Sequence, residues 1–282
     1  MTTLVFGHSG QLATELRKQG DVVALNHEQA DLSDPSHCVD IIKEINPGVV
    51  INAAAYTGVD AAEHDEELAT LVNGHAPTEM AEISAALNIP FLHISTDYVF
   101  DGAPGAPWKP DDTTQPLGAY GRSKLLGELG VRKAGGQYAI LRTSWVFSAH
   151  GNNFVKTMLR LSQTNNTLKV VADQIGGPTP AGDIAAALLT ISSAMTAGNN
   201  CSGTYHYAGS PVTNWADFAR EIFAQSRKNI DVIDISANQY PTPAKRPENS
   251  VMDCSKLLRD FGIEQPDWKT GLARVLKDLE NV

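Results

Sequence analysis

Through the first half of the chain, short apolar runs alternate with longer stretches of helical periodicity. The runs fall at 4–6, 21–25, 49–52, 91–95 and 138–141; the helical patterns between them cover 11–18, 35–45, 65–87 and 120–132. Each run is too short for a helix and apolar almost throughout, as a strand covered on both faces must be. Strand and helix signals in strict alternation predict an α/β fold built on a Rossmann-like, doubly wound parallel sheet. The second half is less regular. Helical patterns recur at 153–161, 182–195, 215–225 and 268–279, and proline-rich stretches at 176–180 and 240–243 separate them. This predicts a first domain over 1–149 and a smaller, interleaved C-terminal domain over 150–282, with some later segments returning to the first.

Composition narrows the function. The 282 residues carry 32 acidic and 22 basic side chains, a formal charge of −10, and no basic run. A nucleic-acid partner is therefore not expected. No stretch approaches the roughly 20 apolar residues of a membrane span, and the N-terminus lacks the pattern of a secretory leader. Cys38, Cys201 and Cys254 lie far apart, and the eight histidines form no HExxH or Cys/His cluster. The expectation is a cytoplasmic protein without a metal site.

Gly7-His8-Ser9-Gly10-Gln11-Leu12-Ala13 joins the first run to the first helical pattern. Small residues at this spacing let the backbone turn tightly, approach a pyrophosphate and pack helix on strand, with the helix N-terminus facing the phosphates. The turn points to a dinucleotide site. An acidic residue about 20 positions on would bind the adenosine ribose. Here the second run ends in Leu25-Asn26-His27, without a carboxylate, so the choice between NADH and NADPH stays open. Asp31 and Leu32 either border an adenine or form a turn ahead of the helix that starts at Pro35.

Tyr120 and Lys124 stand at i and i+4 and share a face if a helix begins at Tyr120. A phenol ordinarily titrates near 10, and an adjacent ammonium is expected to pull it down, making it a usable proton donor and acceptor. Thr96 sits at the end of the fourth run, where doubly wound sheets bind ligands. Its hydroxyl could hold a carbonyl beside Tyr120.

Several further stretches carry a family resemblance: Val50-Ile51-Asn52-Ala53-Ala54-Ala55-Tyr56-Thr57-Gly58-Val59-Asp60, Ser95-Thr96-Asp97-Tyr98-Val99-Phe100-Asp101-Gly102, Arg142-Thr143-Ser144-Trp145, Asn152-Asn153-Phe154, and Tyr240-Pro241-Thr242-Pro243 running into Arg246-Pro247. With the glycine turn and the Tyr-Lys pair, these make the chain resemble the extended short-chain dehydrogenase/reductases, and within them the dTDP-4-dehydrorhamnose reductases. The resemblance implies NADPH- or NADH-dependent reduction of the 4-keto group of dTDP-4-dehydro-6-deoxy-L-mannose to dTDP-L-rhamnose. It implies catalysis by Tyr120, Lys124 and Thr96. The cofactor would be held by Gly7, Gly10, Gln11, Leu12, Asp31, Leu32, Ala55, Tyr56 and Thr57, together with Tyr120 and Lys124. The dTDP-sugar would meet Val59, Asp60, Thr96, Asp97, Tyr98, Phe100, Trp145, Asn153 and Arg246, the last two at its diphosphate.

Asn73 falls where the superfamily often keeps an asparagine, although its setting reads as a plain polar helix position. Some relatives dimerise around magnesium held by glutamates. Glu15 matches one such ligand, but the stretch Pro180-Ala181-Gly182-Asp183 has no glutamate, so the expectation is no metal and either a monomer or a homodimer. Two other readings share these motifs: a different sugar-nucleotide reductase or epimerase, and a catalytically silent subunit like the reductase-like partner of methionine adenosyltransferase.

Overall fold

In a computed structural model that describes residues 2–280, all five expected runs are strands. They are β1 (Thr3–Phe6), β2 (Val22–Leu25), β3 (Val49–Asn52), β4 (Phe91–Thr96) and β5 (Tyr138–Thr143). Four short strands follow, β6 (Val146–Phe147), β7 (Thr167–Val171), β8 (Ile175–Gly176) and β9 (Thr179–Pro180), and then β10 (Gly203–His206). The main sheet is parallel throughout, in the order β10-β5-β4-β3-β1-β2. The chain changes winding direction at β1, between β2 and β3, so the C-terminal ends of β1, β3 and β4 open onto one crevice. Binding sites of doubly wound sheets form at such a switch point.

Helices cover both faces. They are α1 (Gln11–Gln19), α2 (Pro35–Ile45), α3 (Glu66–Thr70), α4 (Ala76–Ala86), α5 (Ala119–Ala134), α6 (Phe154–Leu161) and α7 (Ala181–Thr196). Alternate strand residues feed opposite cores, as the pleat requires. Val5, Val49, Ile51 and Leu92 pack with α1 and α7, whereas Leu4, Phe6, Val50 and Phe91 pack with α2 and α4. A third core joins Phe147, Val155 and Met158 to the remaining helices α8 (Trp215–Gln225) and α10 (Trp268–Glu280). It lies under a two-stranded pair of β7 with β12 (Asp231–Ile235); β11 (Thr213–Asn214) pairs with β8, and α9 (Ser255–Phe261) packs beside β10.

Two local signals differ from expectation. The stretch 65–87 is not one helix: a π-helical turn, Leu71–His75, separates α3 from α4. The sixth strand, β10, lies in the half of the chain where no strand is expected. Its Gly-Thr-Tyr-His sequence lacks an apolar run, and its place beside β5 makes it a strand.

Candidate active site

The glycine turn has the geometry its spacing implies. Gly7 adopts φ +119°, a conformation L side chains rarely take. A Cβ there would stand 3.3 Å from the Ala54 nitrogen and 3.4 Å from the Ala13 Cβ, closing the space between β3 and α1. Gly10 is the N-cap of α1 and makes no side-chain cap, and a Cβ there would meet nothing within 4 Å. By contrast α2, α6 and α8 are capped by Asp34, Asn153 and Asn214. So the first N–H groups of α1 remain available to an anion, and the cradle fits a dinucleotide pyrophosphate.

The other residues expected at the cofactor divide. Gln11 accepts hydrogen bonds through Oε1 from Ser148 Oγ (2.9 Å) and from Asn153 Nδ2 (3.0 Å). Leu12 and Leu32 are buried in the two sheet cores. Asp31 is a turn residue: it accepts the Ser33 N–H at 2.8 Å, and the hydrogen bonds from Ser33 hold its carboxyl below the usual range. Ala55 and Tyr56 are half-buried beyond β3, and Thr57 is exposed. The Tyr56 backbone is clamped by Asn73, whose Oδ1 accepts the Tyr56 N–H and whose Nδ2 donates to the Tyr56 carbonyl, each at 2.9 Å. The Asn73 amide also donates to Ser123 Oγ at 3.0 Å, so the π-helical turn ties the β3 loop to α5.

Helix α5 carries Tyr120 and Lys124 one turn apart. Lys124 is 2% exposed and donates to the Ile94 carbonyl of β4 at 2.6 Å; burial brings its ammonium down to about 8, against the pull of Glu128. Thr96 ends β4. Its hydroxyl donates to Asp97 Oδ1 at 3.1 Å and accepts the Tyr98 N–H at 3.2 Å. Asp97 is buried, which raises its carboxyl to about 6, and Ser250 Oγ donates to it at 2.5 Å.

One expectation is corrected here. The Tyr120 phenol lies above its ordinary value, not below it: burial is the first cause and the Asp97 charge the second, while the nearby Thr96 hydroxyl acts the other way. Lys124 directs its ammonium at the Ile94 carbonyl, and it is not among the groups that move the phenol. Tyr120 is thus a protonated donor at neutral pH, with its ring edge-on to Tyr98.

Residues from opposite ends of the chain meet on the substrate side. Arg246 donates to Asp60 Oδ2 at 2.7 Å and to the Tyr98 hydroxyl at 3.1 Å, and Asp60 Oδ1 accepts the Ala244 N–H at 3.1 Å. The Tyr98 ring meets Tyr120 edge-on, with centroids 5.6 Å apart. Val59 stands half-buried beside Asp60. Trp145 has φ +49°, an outlier for an aromatic residue, and its ring stacks on Trp215 at 3.6 Å. Two expected substrate residues are not brought to this group. Phe100 is fully buried and stacks on Trp108 at 4.5 Å, a core position. Asn153 caps α6, and its amide is engaged by Gln11, Ser148 and His150, on the glycine-turn side.

Ser250 and Trp215 lack any motif that would single them out, and Ser123 lies within the Tyr120-to-Lys124 stretch without a role expected of it. Asn73 did carry a signal, its match to an asparagine that the superfamily often keeps there. Among the described residues no group of three or more His, Cys, Asp or Glu is placed to share a metal. Glu15 pairs with His150 and Lys18, and Asp183 with Arg274.

A glycine-turn cradle at the switch point, faced by a hydroxyl at the end of β4 and a Tyr-x-x-x-Lys helix, defines a short-chain dehydrogenase/reductase. The family model described as RmlD substrate binding domain matches residues 1–281. The chain is 43% identical to the dTDP-4-dehydrorhamnose reductase of Sinorhizobium fredii, over 98% of this chain and 97% of that protein. Among solved structures it is similar to the dTDP-4-dehydrorhamnose reductase of Clostridium acetobutylicum, with TM-score 0.93 and 35% identity over 99% of this chain and 100% of that one. It is also similar to the Bacillus anthracis dTDP-4-dehydrorhamnose reductase in complex with NADP, with TM-score 0.92 and 32% identity over 98% and 99% of the two chains. The chain belongs to the dTDP-4-dehydrorhamnose reductase family.

Proposed function

We propose that this chain reduces the 4-keto group of dTDP-4-dehydro-6-deoxy-L-mannose, giving dTDP-L-rhamnose, with NADPH as the reductant and NADH also accepted. The observation that carries the reading is Tyr120 and the buried Lys124, one turn apart on α5, in a fold whose glycine turn leaves the α1 N-terminus uncapped. NADPH, when bound along Gly7, Gly10 and the α1 N-terminus, supplies the hydride that reduces the carbonyl carbon. Thr96 and Tyr120 orient the carbonyl oxygen through their hydroxyls. Tyr120 gives its proton to that oxygen as it gains electrons, so the product leaves as an alcohol and the phenol becomes a phenolate. The phenolate then regains a proton from solvent, and the Lys124 ammonium on the same helix would hold the nicotinamide ribose. Leaving Tyr120 at its high pKa suits donation, because the alkoxide being neutralised is more basic still.

At the β2 end, the Asn26 side chain accepts the Gln29 N–H at 2.9 Å. No carboxylate replaces Asn26 there to repel a 2′-phosphate, and relatives include a reductase crystallised with NADP. Arg246 and Asp60 lie where a nucleotide diphosphate and sugar would enter, and an arginine fork suits phosphate. On this reading residues 1–149 hold the dinucleotide, and 150–282 form the smaller domain, which brings Arg246 to the substrate side. The protein works in the cytoplasm as a monomer or homodimer; no helix among the described residues is long and apolar enough to cross a membrane.

The test is NADPH oxidation against a panel of 4-keto sugar nucleotides. The expected result is turnover with the dTDP-4-keto-6-deoxy-L-sugar and formation of dTDP-L-rhamnose. Turnover only with a UDP-sugar would overturn the substrate, and protein purified with tightly bound NAD that interconverts sugar epimers would favour the epimerase.

A further inference from the structure

The loop that carries Val59 and Asp60 continues into a single 3-10 turn, Ala61–Glu63, and then α3. This arm folds back onto the first turn of α5. Glu63 Oε1 accepts the Ala119 N–H at 2.8 Å, from 56 positions away in sequence. Ala119 opens α5 and precedes Tyr120. The α5 N-cap position is Gly118, which makes no side-chain cap, and a Cβ on it would collide with the Glu63 carboxylate. Thus α5 has no cap of its own, and a carboxylate from the substrate-side arm takes that place. Beneath this contact, Ala62, Ala69 and Ala119 are fully buried and pack with the rings of Tyr56 and Tyr120. Three residues beyond Glu63, at the first position of α3, an exposed pair forms: Glu66 takes a bidentate hydrogen bond from Arg122 at 2.7 and 2.9 Å.

Resting on the reductase reading above, we propose that Glu63 is a positioning residue: by holding the Ala119 N–H it fixes the first turn of α5, and with it the Tyr120 side chain beside Tyr98. Helix α5 is 16 residues long and sits against β4, α4 and the π-helical turn through Lys124 and Ser123, so its remaining length does not depend on this cap. The loss of Glu63 is therefore felt where the helix begins, at Tyr120. A displacement of about 1 Å at a reacting group can cost on the order of 100-fold in rate. The same arm presents Asp60 to Arg246, so substrate contact and proton donor share one support.

The experiment compares Glu63→Ala, Glu63→Gln, Gly118→Ala and Glu66→Gln with the wild type, using the full chain, NADPH and the dTDP-4-keto sugar. Glu63→Ala is expected to lower kcat about 10- to 100-fold with the KM for NADPH within twofold, and to raise the solvent deuterium isotope effect on kcat, because proton donation becomes slower. Glu63→Gln keeps an acceptor oxygen and is expected within about threefold of the wild type. Gly118→Ala, whose new Cβ displaces the carboxylate, should reproduce the Glu63→Ala loss, and it carries the test if Glu63→Ala does not fold. Glu66→Gln, which breaks only the exposed pair, should leave kcat unchanged. Wild-type kcat and isotope effect in Glu63→Ala or in Gly118→Ala would overturn the proposal, as would a Glu63→Gln as impaired as the alanine variant or a Glu66→Gln equally impaired. A wild type that oxidises no NADPH with the sugar nucleotide would instead refute the reductase reading.

Discussion

The two halves of the site are built by different means. The cofactor half is local: Gly7, Gly10 and the start of α1 are near neighbours in sequence, and backbone conformation does the work, through φ +119° at Gly7 and an uncapped helix end. The substrate half is assembled at long range, with Asp60, Tyr98 and Arg246 joined side chain to side chain across 186 positions. A site made of backbone is sensitive to residue type where the backbone is unusual, as at Gly7, where a Cβ would crowd Ala54 and Ala13. A site made of side chains tolerates backbone change but fails when one partner of a charged network is removed. Tyr120 and Thr96 stand where the halves meet.

This contrast can be broken in four places. The largest effect is expected at the junction. Tyr120→Phe removes the proton donor and should lower kcat at least about 100-fold, with NADPH and sugar-nucleotide affinity nearly unchanged; steady-state kinetics with separate binding titrations check this. In the cofactor half, Gly7→Val forces a β-branched residue to φ +119° against Ala54 and Ala13. NADPH affinity should fall by roughly 100-fold, with sugar-nucleotide affinity less affected, as calorimetry would show.

The third effect concerns stability below the junction. Asp97 holds its proton to about 6 when folded and titrates near 3.8 when unfolded. The folded state therefore binds the proton more tightly, and its contribution is complete below the unfolded value and lost as pH rises through about 6. Stability should decline across that window by on the order of 3 kcal/mol, and Asp97→Asn should remove that part of the slope in urea unfolding at a series of pH values. The smallest effect is expected in the substrate half. Arg246→Ala leaves Asp60 without its charged partner and should raise the sugar-nucleotide KM about tenfold, with the NADPH KM unchanged.

Much of this was legible in the sequence, for reasons that differ by residue. The strands β1 to β5 and their helices each carry a local pattern, and the glycine turn and Tyr120-to-Lys124 spacing are local too. What local patterns omit are features set by the fold. Strand β10 has no apolar run and is a strand only because β5 lies beside it. Phe100 belongs to a motif rich in site residues, yet the stacking with Trp108 puts it in the core. Asn73 sits in the π-helical turn because its amide serves the β3 loop and helix α5 at once. The acidity of Tyr120 depends on burial and on Asp97, and spacing along α5 alone suggested the opposite sign.

The most direct measurement is a carbon-13 NMR titration of tyrosine-labelled protein, with Tyr120→Phe assigning the Tyr120 signal. A neutral, buried proton donor predicts that Tyr120 stays a phenol through pH 9 and beyond, when an ordinary tyrosine near 10 has begun to ionise. A Tyr120 signal that ionises near neutral pH would contradict it and make the phenolate the resting form.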